Sequence, residues 1–306
     1  MKSRSVNKKL QALLNAAAVI IIAPLFLSLF VDSPYVFTVQ QIFGFDSAYE
    51  VESDCITFLN VGQGDAILIR SNGNFALIDT GDGESTDIVR SLKQNGVDKI
   101  DVLLLTHWHD DHIGGTETVL REFPVQNLVM PRIPDERSDT YNSAFGVNKA
   151  AENAGVRFTT AAQGLVLNVG DFKLTVLCYY PGNPSENDRS VVIMAECRDF
   201  RFLLMSDAEE TLEKQLIESG IRLDCNVLKV GHHGSDTSTS TKFLNAASPD
   251  YAVVSVGLKN EYGHPSSKIL RRLAYSETEI YRTDTGGEID VYVLEDSLEF
   301  SAKLLD

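Results

Sequence analysis

The chain of 306 residues is long enough to bury a substantial core, either as one large domain or as two modest ones. Its 43 acidic and 27 basic side chains give a formal net charge of -16, so the surface as a whole repels phosphate backbones and anionic lipid. A broad electrostatic grip on nucleic acid is therefore excluded, and a nucleic-acid substrate would need local help, most simply from metal ions.

Lys2, Arg4, Lys8 and Lys9 precede Leu10 to Val31, "LQALLNAAAVIIIAPLFLSLFV", an uncharged run interrupted only by Gln11, Asn15 and Ser28. At about 1.5 Å per residue it is long enough to cross a bilayer. No A-x-A-like cleavage site stands near Val31, so the run predicts an uncleaved signal anchor over 10–31, with secretion as the alternative if it is removed. The basic tail 1–9 then stays in the cytoplasm and the rest of the chain faces outward. Pro24 predicts a kink. Residues 32–52 read as a connector, and the globular domain is expected over 53–306.

From there short apolar runs alternate with amphipathic ones. Residues 55–61, 65–71, 74–81, 101–107, 174–180, 190–197, 200–207, 225–233 and 251–257 read as strands; 85–96, 148–155, 208–220 and 266–276 read as helices ending near turn residues. So many strands with interspersed helices predict two sheets covered by helices rather than one Rossmann sheet. Cys55, Cys178, Cys197 and Cys225 lie far apart with no C-x-x-C pair, which argues against a thiolate zinc site. They read as buried small apolar residues, with disulfides open for an exported domain.

All six histidines fall in three short clusters. The first, "THWHDDHIGG" (106–115), follows the strand-like "DVLLL" and puts His107, His109, Asp111 and His112 in one loop. Imidazole with carboxylate suits zinc, manganese or iron, and two such ligand pairs side by side suit two ions. The second, "KVGHHGS" (229–235), again ends an apolar run, and the third is His264 in "YGHP".

The H-x-H-x-D-H pattern resembles the metallo-β-lactamase superfamily, which implies an α+β, four-layer αββα fold following the transmembrane helix. In that resemblance Asp79 of "LIDTG" buttresses the metal loop, although alone it reads equally as a turn aspartate. Asp207 of "FLLMSDAEE" bridges two metals, or else caps the helix that follows. His232 is the expected ligand with His233 in reserve, and Ser235 stands beside them. A narrower likeness covers about 56–290: "FLNVGQGDAILIRS", "LLLTHWHDDHIGG", "LKVGHHGS", "YGHP" and "YRTDTGGEI" together resemble the metallo-β-lactamase-like domain of ComEC-type DNA-uptake proteins. That family implies an extracytoplasmic domain and nuclease activity. With one membrane segment and no multi-helix channel, the chain resembles a freestanding relative, and transport is not carried over.

Three departures stand out: Asn60 replaces an aspartate, Ser206 replaces the glycine before the bridging Asp207, and "YPGNPSENDRS" lacks the histidine that lactamase and glyoxalase branches use as a third ligand of the first metal. The first metal would then rest on His107, His109 and Asp207 alone, which predicts one-metal occupancy or manganese in preference to zinc.

The expected reaction is hydrolysis of a phosphodiester in single- or double-stranded DNA, using one or two divalent ions, zinc or manganese. Asp111 and His264 carry the catalytic roles: Asp111 holds the second metal with His112, and His264 either binds phosphate or protonates the leaving group, unless it is itself a ligand. Gly62, Gln63, Gly64 and Asp65 form a turn whose amides either face a phosphate or make an ordinary glycine turn. Asn187 and Ser190 either orient substrate or cap a turn. No basic stripe appears; Lys229, Lys242, Lys259, Lys268, Arg271 and Arg272 are the nearest cationic candidates. Besides DNA, the expected partners are the membrane and an uptake complex. The rival readings are an extracellular hydrolase of a small phosphodiester, lactone or thioester, and a non-catalytic tethered binding module.

Overall fold

The computed structural model describes residues 54–84, 88–178 and 185–303. The expected basic tail, membrane segment and connector all lie outside the described residues, and among the described residues no helix is long and apolar enough to cross a membrane.

Two sheets form the centre. The chain starts the first with β1 (Cys55–Phe58), β2 (Ile67–Ser71), β3 (Asn74–Ile78), β4 (Ile100–Leu104), β5 (Val125–Met130) and β6 (Phe158–Thr160). It builds the second from β7 (Val166–Val169), β8 (Phe172–Cys178), β9 (Val192–Cys197), β10 (Phe200–Leu204), β11 (Val227–Lys229), β12 (Tyr251–Val254) and β13 (Glu279–Arg282). It then returns to the first with β14 (Glu288–Val293) and β15 (Leu298–Lys303). The strand orders are β15-β14-β1-β2-β3-β4-β5-β6 and β13-β12-β11-β10-β9-β8-β7.

Period-two alternation decides which side each strand residue serves. In β4, Val102 and Leu104 enter the cluster between the sheets, where Ile56, Phe172, Phe202 and Val227 also lie; Leu103 faces the other way. On that outer face pack α1 (Ile88–Gln94), α3 (Thr116–Glu122) and α4 (Tyr141–Ala154). A short α2 (Asp110–Ile113) stands between α1 and α3 in the chain. In β10, Phe202 and Leu204 face the inter-sheet core, while Leu203 packs with α5 (Glu210–Glu218), α6 (Thr241–Ala247) and α7 (Ser267–Tyr275). A final one-turn α8 (Thr283–Gly286) joins β13 to β14. The result is four layers, helix on sheet on sheet on helix, as the α+β expectation had it.

Each sheet is half parallel: β3 to β6 in one and β10 to β13 in the other. The loops after β3, β4, β10, β11 and β12 are those that carry Asp79, His107–His112, Asp207, His232–His233 and His264. Val191 N, just before β9, donates to Thr106 O at 3.0 Å, tying the second sheet to the loop after β4.

Phe202 is fully buried and packs against Phe172. Phe202→Ala is expected to cost about 3–5 kcal/mol in urea denaturation, against about 0.5 kcal/mol or less for Phe145→Ala at a half-exposed position.

Candidate metal centre

The loop after β4 is held from below by one carboxylate. Asp79, just past β3 with φ 60°, accepts from Thr106 N at 2.8 Å and Thr106 Oγ1 at 2.6 Å, and its Oδ2 lies 2.7 Å from His112 Nδ1. Asp79 therefore lies beneath the loop after β4 and in contact with both its start and its end. Trp108 turns inward, donating Nε1 to Arg132 O at 3.2 Å, which leaves His107 and His109 facing the cleft.

Asp207 sits at the middle of the cluster. Its Oδ1 lies 3.3 Å from His112 Nε2 and 3.4 Å from His233 Nε2, and Asp111 Oδ2 lies 3.3 Å from the same His233 atom. Its Oδ2 lies 4.0 Å from His107 Nε2, whose other neighbour is His109 Nδ1 at 3.1 Å. Two potential ligand sets, Asp111/His112/Asp207/His233 and His107/His109/Asp207, therefore share one carboxylate. Asp207 does not cap α5; the buried Asp188 does, accepting from Glu209 N at 3.0 Å and Leu212 N at 3.3 Å. His233, held in reserve on sequence grounds, belongs to the compact set, while His232 stands outside it with Nε2 3.8 Å from Asp207 Oδ2.

These residues fit divalent ions. His112 Nε2, His233 Nε2 and Asp207 Oδ1 are buried atoms with no hydrogen-bond partner, which a folded core rarely tolerates unless something else binds them. Burial, reinforced by the neighbouring His112, pushes His107 well below the ordinary imidazole range, leaving it a neutral ligand. Burial works the same way on His112 and His233, but the charge of Asp207 outweighs it and raises both. Burial should raise the Asp111 and Asp207 carboxyls, yet contacts with His233 and His112 hold both low.

A second buried ion pair braces the set. Lys229, fully buried at the end of β11, pairs its Nζ with Asp65 Oδ2 and donates to Ser206 O at 3.2 Å. This corrects the reading of Lys229 as a cation available to DNA: the strand carries it into the core beneath the metal loops. Asp65 in turn lies 3.5 Å from His233 Nδ1. Gly64, at φ 146°, lets the 62–65 turn touch the metal loop, since a Cβ there would overlap the Asp111 carbonyl. The amides of Asp65 and Gly62 are engaged with Asp111 O at 3.2 Å and Asn60 Oδ1 at 3.4 Å, and Gln63 Oε1 accepts from Gly257 N at 3.1 Å. This turn packs and braces, and two of its amides are taken by the protein itself.

The remaining candidates surround the cluster. Asn187 Nδ2 lies 3.4 Å from His232 Nδ1 and donates to Glu209 Oε1 at 3.3 Å. Ser190 Oγ accepts from Asp207 N at 3.2 Å, and Ser235 Oγ is 3.0 Å from Thr237 Oγ1. His264 lies beside His232, ring centroids 5.6 Å apart, and stacks on the exposed Tyr262 at 5.7 Å. Burial, then His232 and His233, lower its pKa. Thr106, Glu209 and the inward Lys229 were missed as site residues. Only Lys229 carried a signal, a charge inside the apolar run "NVLKV". Cys55, Cys197 and Cys225 are buried free thiols remote from this chemistry.

Residues 59–257 match the model of the metallo-beta-lactamase superfamily, and the chain belongs to that superfamily. Among curated relatives it is similar to ComE operon protein 3 of Bacillus subtilis (strain 168), 31% identical over 256 residues, which cover 76% of this chain and 32% of that protein. It is likewise similar to Competence protein ComA of Neisseria gonorrhoeae, 31% identical over 243 residues, 76% of this chain and 31% of the relative. The chain thus spans about a third of the length of these relatives. Among solved structures, the metallo-beta-lactamase fold protein YhfI from Bacillus subtilis superposes with a TM-score of 0.52 at 12% identity, over 78% of this chain and 99% of that one, a likeness of fold alone.

Removing Lys229 leaves Asp65 charged and unpaired. Lys229→Met is expected to destabilise by about 3–5 kcal/mol in urea titration, with part of the loss recovered in the Lys229→Met, Asp65→Asn double variant. Because His112 and His233 are held protonated above the 6.5 of a free imidazole, an ion must displace protons to bind. Calorimetry in buffers of differing ionisation enthalpy is expected to show proton release, with apparent affinity rising as pH rises; uptake without proton exchange would contradict this.

Proposed function

We propose that this protein is a metal-dependent phosphodiesterase that cuts DNA on the outer side of the membrane, to which residues 10–31 attach it. The observation that carries the reading is the single buried Asp207 carboxylate shared between two His/Asp sets, with Asp207 Oδ1, His112 Nε2 and His233 Nε2 buried and without hydrogen-bond partners. A competence protein among the relatives supports DNA as the substrate.

Divalent ions held by Asp111, His112, His233 and Asp207 and by His107 and His109 would supply an activated water and positive charge against the phosphoryl group. The chain's own residues do the rest. Asp207 fixes the spacing of the two sets, and Asp79, by gripping Thr106 and His112 together, fixes the direction in which the metal loop points its ligands. Asp111 and His109, only partly buried, stand at the open side where a substrate enters. His264, half-buried with Nδ1 unpartnered, is placed to hydrogen-bond a phosphate oxygen or the leaving oxygen.

The test is incubation of the full chain in detergent with single- and double-stranded DNA and manganese or zinc. Cutting that is abolished by EDTA and by the Asp111→Ala, His112→Ala double variant is the expected result. Metal uptake without cutting of either DNA, together with turnover of bis(p-nitrophenyl) phosphate, would move the substrate to small extracellular phosphodiesters.

A further inference from the structure

We infer that His232 supplies the third histidine of the first metal set, in place of the histidine missing from 180–190, and that Glu209 orients it. This rests on the two-ion reading of the site and not on DNA as the substrate.

The pattern of the histidines carries the inference. His107, His112 and His233 each present Nε2 to one side of Asp207 while an oxygen holds Nδ1. For His107 these are the Thr106 and Ser206 hydroxyls at 3.2 and 3.3 Å, for His112 the Asp79 carboxylate at 2.7 Å, and for His233 the Ser255 carbonyl at 2.9 Å. His232 has a similar arrangement: Nδ1 lies 3.2 Å from Glu209 Oε1 and 3.3 Å from Thr237 Oγ1, Nε2 lies 3.8 Å from Asp207 Oδ2, and Asn187 Nδ2 stands 3.4 and 3.5 Å from the two ring nitrogens. An imidazole held by a carboxylate at one nitrogen, with the other turned toward a shared carboxylate, is the usual dress of a metal ligand.

The backbone explains how two adjacent histidines reach two ions. Both are left-handed, φ 47° and 52°, in the turn after β11, and their rings diverge, with centroids 6.2 Å apart and planes 67° apart. His233 meets Asp207 Oδ1 and His232 meets Oδ2, the oxygen that also faces His107. Glu209 is itself fixed, accepting from Thr237 Oγ1 at 2.8 Å and Asn187 Nδ2 at 3.3 Å. Asn187 thus works from the segment that lacks the histidine, both through Glu209 and by its own contact with the His232 ring. The first set becomes His107, His109, His232 and Asp207, and the expected shortage of ligands disappears.

The full chain is titrated with cobalt(II), followed by visible absorption and calorimetry, which read binding without turnover. Two ions are expected. His232→Asn, chosen because asparagine tolerates the left-handed backbone, is expected to keep one ion and weaken the other by more than about 100-fold, beyond the usual effect of losing an outer partner. Glu209→Gln is expected to weaken that same ion by about 10- to 100-fold. Circular dichroism confirms that each variant is folded. One ion in the wild type, two undiminished ions in His232→Asn, or loss of the ion that Asp111→Ala also removes would each overturn the inference. Failure to cut DNA would leave it standing.

Discussion

The buried Asp207 carboxylate is the constraint on which the rest of the site depends. A carboxylate is costly to bury unless charges or hydrogen bonds answer it. Asp207 is 2% exposed, and its backbone amide is anchored by Ser190, yet what faces its two oxygens is imidazole nitrogen. Its neighbours are treated differently. Asp79 has three hydrogen-bonding contacts, and Asp65 has the Lys229 ammonium at Oδ2 while its Oδ1 lacks a hydrogen-bond partner. Of the carboxylates in the cluster, Asp207 is the one that lies in both candidate ligand sets while its Oδ1 is buried without a hydrogen-bond partner.

How much of this could be read in the sequence follows from how local each signal is. The metal loop was legible because its ligands lie within six residues and follow an apolar strand. Asp207 was legible as a carboxylate ending another strand, but its rival role as a helix cap was excluded only by Asp188, which lies 19 positions earlier in the chain and comes near through the sheet. Which of His232 and His233 turns inward depends on two left-handed residues, and pattern does not reveal that backbone. Strands β6 and β13 escaped notice because they lie at sheet edges, where every residue is exposed or only partly buried and alternation fades. Strand β14 was hidden by acidic residues: Glu288 and Asp290 are both buried, accepting from Ser91 and Asn95 and from Thr57 respectively.

Ser206 shows how a departure from the family pattern is accommodated. It occupies a left-handed backbone, φ 50°, where glycine sits without strain and other residues cost of order 1 kcal/mol. Its hydroxyl gives something back: it donates to Thr106 Oγ1 at 2.6 Å, accepts from Ser190 Oγ at 3.3 Å and lies 3.3 Å from His107 Nδ1. A glycine could make none of these contacts. The serine therefore joins the loops after β4 and β10 and steadies one nitrogen of the His107 ring.

The same cluster bears on how so acidic a chain could attract an anionic substrate. Once ions have displaced the protons of His112 and His233, Asp65, Asp79, Asp111 and Asp207 with Lys229 supply three net negative charges to the pocket. Two divalent ions would turn it one charge positive inside a molecule of net charge -16. At physiological salt, screening confines such a local field to about 8 Å, so attraction would be felt only at the cleft itself. Because binding couplings are reciprocal, a phosphate that binds only the loaded pocket must also tighten the hold on the ions. Metal and substrate affinity are then one linked property, set by how closely Asp207 holds the two sets of ligands together.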